Sequence, residues 1–123
     1  MTQVSYPELF TSDGLVGGAC GTCGRRQFPL AEWCPWCGAP DPVRVQLSRH
    51  GVLWSWTSVL TAPPGYEGEV PFGFGVVELE GEGLHVVTRL TEPDPDRLSL
   101  GRAMAFTVVP LDDQRSTWAF APQ

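Results

Sequence analysis

Two Cys-x-x-Cys pairs, Cys20-Gly21-Thr22-Cys23 and Cys34-Pro35-Trp36-Cys37, are separated by ten residues, and each runs directly into a glycine, Gly24 or Gly38. The chain has four cysteines in all, so both pairs together use every thiol it possesses. A two-residue gap lets a tight turn aim both sulfurs one way, and the glycine accepts a backbone conformation that a side chain resists. Four convergent thiolates are what a tetrahedral metal with zinc–sulfur bonds of about 2.3 Å requires. The expectation is a structural zinc ribbon of rubredoxin-like form, with Cys20, Cys23, Cys34 and Cys37 as ligands. Iron takes the same ligand set and stays open as the ion. A disulfide framework is the rival, but it belongs to secreted chains, and Met1-Thr2-Gln3-Val4-Ser5-Tyr6 has neither a basic region nor an apolar run. Four thiolates leave no open position for a catalytic water, so the metal is expected to hold structure.

With 123 residues, 42% of them hydrophobic, the chain can bury one modest core, and a metal makes up for what a small ribbon lacks in packing. A formal net charge of −6 argues against nucleic acid as the main partner, because phosphate binding rests on a basic surface. All 8 basic residues are arginine, which removes Schiff-base chemistry and a P-loop lysine. No apolar run approaches 18 residues, so no membrane-spanning helix is expected. Free thiols fit a reducing, cytoplasmic setting.

Along the chain, Tyr6 to Leu15 is expected to form a short helical turn after Pro7 that ends near Gly14, with Tyr6, Leu9 and Phe10 on one side. Such a segment either lids its own core or anchors on a partner. Residues 16–42 form the ribbon, and 43–123 read as strands. Val43, Val45 and Leu47 alternate with polar residues, and in the run from Val52 to Leu60 the residues Val52, Trp54, Trp56 and Ser58 are expected on one face. Gly81-Glu82-Gly83 joins two strands as a hairpin. Strands also close the chain, from Arg102 to Val109 and from Ser116 to Phe120. Five strands with no central helical period indicate a mainly β fold: a zinc ribbon in front of a five-stranded OB-like barrel.

The pattern Cys20-x-x-Cys23-Gly24-x-x-x-Phe28-Pro29, Cys34-Pro35-x-Cys37-Gly38, Ser48-x-x-Gly51-Val52-Leu53-x-Ser55-Trp56-Thr57, Pro71-Phe72 leading to Val76-Val77-Glu78-Leu79, Gly101, and Phe120-Ala121-Pro122 resembles a known two-domain family. This is the family once filed as domain of unknown function thirty-five, a zinc ribbon joined to an OB-fold. The resemblance implies a small accessory subunit in a hetero-oligomer. Its partner would be a thiolase-superfamily enzyme or, in steroid side-chain breakdown, a lipid-transfer-protein-type aldolase or hot-dog hydratase. It further implies help in binding acyl-coenzyme A, with the catalytic residues in the partner. The arginines from which coenzyme A contacts would come are Arg25, Arg26, Arg44, Arg49 and Arg89. Here the N-terminal helical extension of the family looks shortened.

No self-sufficient catalytic set is expected. His50 is expected in a turn, His85 alternates on a strand without an acid next to it in sequence, and Glu78, Glu80 and Glu82 read as a solvated surface. Trp54, Trp56, Phe72 and Phe74 could be read as a base-stacking platform, which makes a nucleic-acid-binding zinc-ribbon/OB protein the alternative. The acidic stretch between Thr57 and Leu84, which has no basic residue, opposes it. The long loop from Thr61 to Gly73 offers Tyr66 and Phe72 as aromatic anchors, and the partner interface is expected at Tyr66, Phe72, Leu9 and Phe10. The same loop could instead plug one mouth of the barrel.

Overall fold

The computed structural model describes residues 9–65, 70–111 and 113–123. Strand β2 (Gly14–Ala19) is the spine of the ribbon. It pairs antiparallel with β1 (Phe10–Thr11), with β3 (Arg26–Gln27) and, along Val16 to Ala19, with β4 (Val43–Gln46). Gly17 lets these strands close up: a Cβ there would stand 2.3 Å from the Gln27 carbonyl oxygen and 2.8 Å from Leu47 Cδ1.

The helical turn expected between Tyr6 and Leu15 does not form where the chain is described. From Leu9 onward it is a hairpin, with the Val16 N–H donating to the Leu9 carbonyl at 2.9 Å and the Asp13 N–H to Thr11 Oγ1 at 3.1 Å. An isolated helical turn is marginal in water, whereas here β2 offers a paired edge and the barrel offers Phe10 an aromatic neighbour. A second difference concerns Val43 to Gln46. The strand forms as its alternation predicts, but it belongs to the ribbon sheet and not to the barrel.

The barrel has five strands: β5 (His50–Val59), β6 (Phe72–Leu79), β7 (Leu84–Leu90), β8 (Ala103–Pro110) and β9 (Ser116–Pro122). A β5–β6–β7 meander is extended by β8 pairing with β5 and by β9 pairing with β8, all antiparallel. A parallel contact of β7 with β9, Leu90 opposite Phe120, closes the ring. Burial alternates cleanly in β6 and β7, so Val77, Leu79, Leu84, Val86 and Leu90 point inward to meet Leu53, Met104, Phe106 and Phe120. Leu15 and Leu47 from the ribbon side join the same cluster, and Phe10, Phe28 and Val45 pack against it, so ribbon and barrel share one core.

In β5 the expected common face of Val52, Trp54, Trp56 and Ser58 breaks. The register against β6 shifts between Leu53 and Ser55, a bulge that reverses the alternation. Val52 and Trp54 therefore face outward. Trp56 turns toward the core, and its Nε1–H donates to the Pro95 carbonyl at 3.1 Å. That carbonyl belongs to a single 3-10 turn, Pro95–Arg97, whose first residues are capped by Asp94.

Candidate metal centre and the seam beside it

Each Cys-x-x-Cys pair builds the same knuckle. The Gly24 N–H donates to the Cys20 carbonyl at 3.0 Å and the Gly38 N–H to the Cys34 carbonyl at 2.9 Å, with the glycines at φ 76° and 78°. Backbone N–H groups point at the first sulfur of each pair, those of Thr22 and Cys23 at Cys20 Sγ and that of Trp36 at Cys34 Sγ, each at 3.4 Å. Donors aimed at a sulfur favour its thiolate. The N–H groups of Cys23 and Thr22 accordingly hold the Cys20 thiol down to about 6. Desolvation opposes the same effect at Cys34 but is outweighed by the Cys37 and Trp36 N–H groups, so that thiol is lowered too. Cys37 is pushed up to about 11: its strongest influence, the Ala39 N–H, lowers it, but desolvation and the neighbouring cysteines together prevail.

The two knuckles meet. All four sulfurs lie within 4.8 Å of one another, with Cys20 and Cys37, and likewise Cys23 and Cys34, at 3.6 Å. A tetrahedron with 2.3 Å metal–sulfur bonds has edges of about 3.8 Å, so the set fits one zinc or iron ion with all four positions filled by sulfur. Separations of 3.6 Å are far from the 2.05 Å of a disulfide, and the cysteines are free.

Other expected site residues are dispersed. Arg25 and Arg26 line one cavity with Trp36 and the 81–83 turn. Arg44 lies on β4 opposite Gly18, and the Arg49 guanidinium lies over the Phe106 ring at 5.8 Å. Arg89 covers the Phe72 ring at 4.8 Å. It is six residues along β7 from the hairpin turn, about 20 Å at strand rise. The structure therefore groups Arg25 with Arg26 and sets Arg89 at the far end of the β6–β7 hairpin. Leu9 is exposed, Phe10 and Phe72 are half-buried, and Tyr66 lies outside the described residues.

Glu82 corrects the reading of 78–82 as solvated surface. Its side chain is only 10% exposed, and Oε1 faces Arg26 Nη1 across the seam between ribbon and barrel at 3.5 Å. Only the placement of the ribbon over the turn produces that pair, so the strand pattern carried no signal of it. The structure also gives His85 the acid it lacks in sequence: β6 sets Glu78 opposite it, Oε2 lies 3.2 Å from Nε2, and the Trp54 ring is 4.9 Å from the imidazole. Around them Val52, Trp54, Phe74 and Val87 expose an apolar outer face on β5–β6–β7. His50 opens β5 at the rim of a cleft of about 590 Å³ that Met104 and Gln123 also line.

A four-cysteine ribbon sharing its core with a closed OB-like barrel defines the class of protein. Within that class, residues 44–109 match the family described as "ChsH2, C-terminal OB-fold domain". The chain belongs to that family, whose relatives carry the DUF35 designation. A "DUF35 domain-containing scaffold protein" of Pyrococcus furiosus is 36% identical over 87 residues, covering 71% of this chain and 62% of that protein. The chain thus spans under two thirds of that relative's length. The "Benzoylsuccinyl-CoA thiolase subunit BbsA" of Thauera aromatica is 31% identical over 116 residues, covering 89% of this chain and 78% of the subunit. Among solved structures, "Ltp2-ChsH2(DUF35) aldolase" superposes with a TM-score of 0.72 at 28% identity, covering 89% of this chain and 84% of that one.

Proposed function

We propose that this chain is a non-catalytic accessory subunit. It docks on a thiolase-superfamily enzyme, either a thiolase/condensing enzyme or a retro-aldolase acting on a steroid or other acyl-coenzyme A, and helps hold the thioester while the partner supplies the reacting groups. The ion in its ribbon is zinc. The observation that carries this reading is the similarity to a subunit named for a thiolase along 89% of the chain. The likeness to a DUF35 chain of an aldolase adds to it.

The chemistry of the chain suits the role. Four sulfurs that fill a tetrahedral shell hold backbone and leave no position for substrate. The chain instead offers surfaces: Trp54, 55% exposed, with Phe74 and Val87 on the outer barrel face. Large exposed apolar side chains gathered on one face are what a permanent partner covers. Strong negative charge disfavours a polynucleotide, whereas a thioester of coenzyme A carries its phosphates at one end and needs few arginines.

Affinity capture of the tagged chain from cells of its source, with mass-spectrometric identification of what is held, tests the proposal. A stoichiometric thiolase-fold polypeptide, retained in moderate salt, is the expected result. Capture of ribonucleic acid with a steep salt dependence, and no such polypeptide, would overturn it.

A further inference from the structure

The seam between ribbon and barrel holds an open cavity of about 360 Å³. Arg25, Arg26 and Trp36 reach it from the ribbon, and Gly81, Glu82 and Gly83 from the β6–β7 turn. The two arginines are not equivalent. Arg26 is engaged inside the molecule, because its Nη1 lies 3.5 Å from the carboxylate of the largely buried Glu82. Arg25 is exposed, and its guanidinium lies over the Trp36 ring at 5.1 Å and pairs with no carboxylate among the described residues. Trp36 is held in turn by its own Nε1–H, which donates to the Arg26 carbonyl at 3.1 Å, yet the residue remains 52% exposed. Arg25 follows the first knuckle and Trp36 sits inside the second, so the convergence of the four sulfurs also fixes this pair. Gly81 and Gly83 leave room opposite: a Cβ at either would meet nothing within 4 Å.

Tryptophan and arginine are the residue types that most often carry interface energy, and a pair fixed beforehand loses less entropy on docking. Charge selects what docks. A guanidinium with no acid of its own stands on a chain of net charge −6, so the surface that matches it is acidic. The cavity also lies close to the apolar outer face of the barrel. Exposed Val87 is four residues along β7 from Gly83, about 13 Å at strand rise, so one partner can cover both. We propose that the seam is a docking socket for an acidic segment of the thiolase-fold partner. An aspartate or glutamate of that segment pairs with Arg25, and an apolar side chain next to it lies on Trp36. The proposal rests on the accessory-subunit reading above and adds Arg25 and Trp36 to the interface. It also gives the two arginines different tasks: Arg25 meets the partner, and Arg26 holds the 81–83 turn against the ribbon through Glu82.

The test measures the affinity of the full, metal-loaded chain and its variants for the thiolase-fold polypeptide that the unaltered chain captures. Arg25→Ala is expected to weaken binding on the order of tenfold at unchanged metal content and melting temperature. Arg25→Glu is expected to weaken it further, because a partner carboxylate is then repelled. Arg97→Glu, which reverses an exposed charge outside the seam, leaves it unaltered. Hydroxyl-radical footprinting needs no variant, and oxidation of Trp36 is expected to fall in the complex. Full affinity of both Arg25 variants, or unchanged oxidation of Trp36, overturns the docking while the accessory role stands. A loss for Arg25→Glu no greater than for Arg25→Ala overturns the acidic partner segment. Protection of Trp36 by inorganic phosphate alone, with the partner's affinity intact in Arg25→Glu, assigns the cavity to a free anion and overturns the docking as well. If the unaltered chain captures no thiolase-fold polypeptide, the accessory role falls and takes the docking with it.

Discussion

Phe28, set between the two knuckles, meets Trp118 of β9 edge to face, with ring centroids 5.8 Å apart and planes at 85°. Phe10 approaches the same indole at 5.8 Å from the ribbon hairpin. Trp118 therefore pins both halves of the ribbon to the barrel. Truncation to Trp118→Ala is expected to lower stability by about 2–4 kcal/mol, as loss of a large, partly buried aromatic does. Urea unfolding followed by circular dichroism checks the size, and a single transition for ribbon and barrel signals checks that they melt as one unit.

The metal should be worth still more to the fold than any one side chain. The chain is expected to hold one zinc per molecule, and Cys34→Ser to lose it and melt at lower temperature. Because thiolates bind metal, affinity should fall as pH falls. The Cys20 thiol, held at about 6, still carries negative charge at neutral pH, whereas Cys37, pushed up to about 11, arrives protonated and must release its proton on uptake. Competition with a chromophoric chelator between pH 8 and 5 should show release growing steeper once Cys20 also takes up a proton, near pH 6.

Gln27 points the other way. It is 4% exposed, and neither amide atom has a partner among the described residues. An apolar replacement of similar length removes two unmatched polar groups, so Gln27→Met is expected to stabilise the protein by about 1 kcal/mol. Thermal melting should register a rise of about 3–6 °C for a chain of this size.

Space at Gly17 is closed. A methyl group there would meet the Gln27 carbonyl oxygen at 2.3 Å, and that atom is backbone, which cannot swing aside. Gly17→Ala is expected to cost about 2–4 kcal/mol or to prevent folding, measured by soluble yield and by melting.

On the outer face, Trp54→Ala with Val87→Glu should leave melting nearly unchanged, since both side chains are more than half exposed. The same pair is expected to weaken capture of the thiolase-type partner by at least tenfold, as loss of a central aromatic anchor does. Tyr66→Ala with Phe72→Ala gives the comparison for the segment leading into β6, and the surface whose variants release the partner is the interface.

How much of this was legible in sequence depended on the range of the interactions involved. The knuckles were readable because spacing and glycine fix them within a few residues. The 81–83 hairpin was readable for the same reason, with Gly81 and Gly83 both at positive φ. Alternation announced the strand at Val43 but could not name its neighbour, since strand propensity says nothing about which edge receives it. The bulge at Trp54 escaped because an extra residue shows only against its partner strand. Phe10 in a hairpin and Glu82 under the ribbon both depend on groups far away along the chain, Trp118 and Arg26, that only folding brings near. Those same two contacts position the seam, which is why it was the least legible part.

The barrel's circuit is finished by one rung. Leu90 stands beside Phe120, and just past it the Thr91 N–H donates to the Phe120 carbonyl at 3.0 Å, whereas every other junction in the ring is a ladder of at least three pairs. During synthesis, until residue 120 leaves the ribosome, β7 and β8 each present a bare edge able to recruit a neighbouring chain. In the finished molecule the same join is where amide protons should exchange earliest, so a partner that clasps β7 and β9 together would act as a buckle on the whole fold.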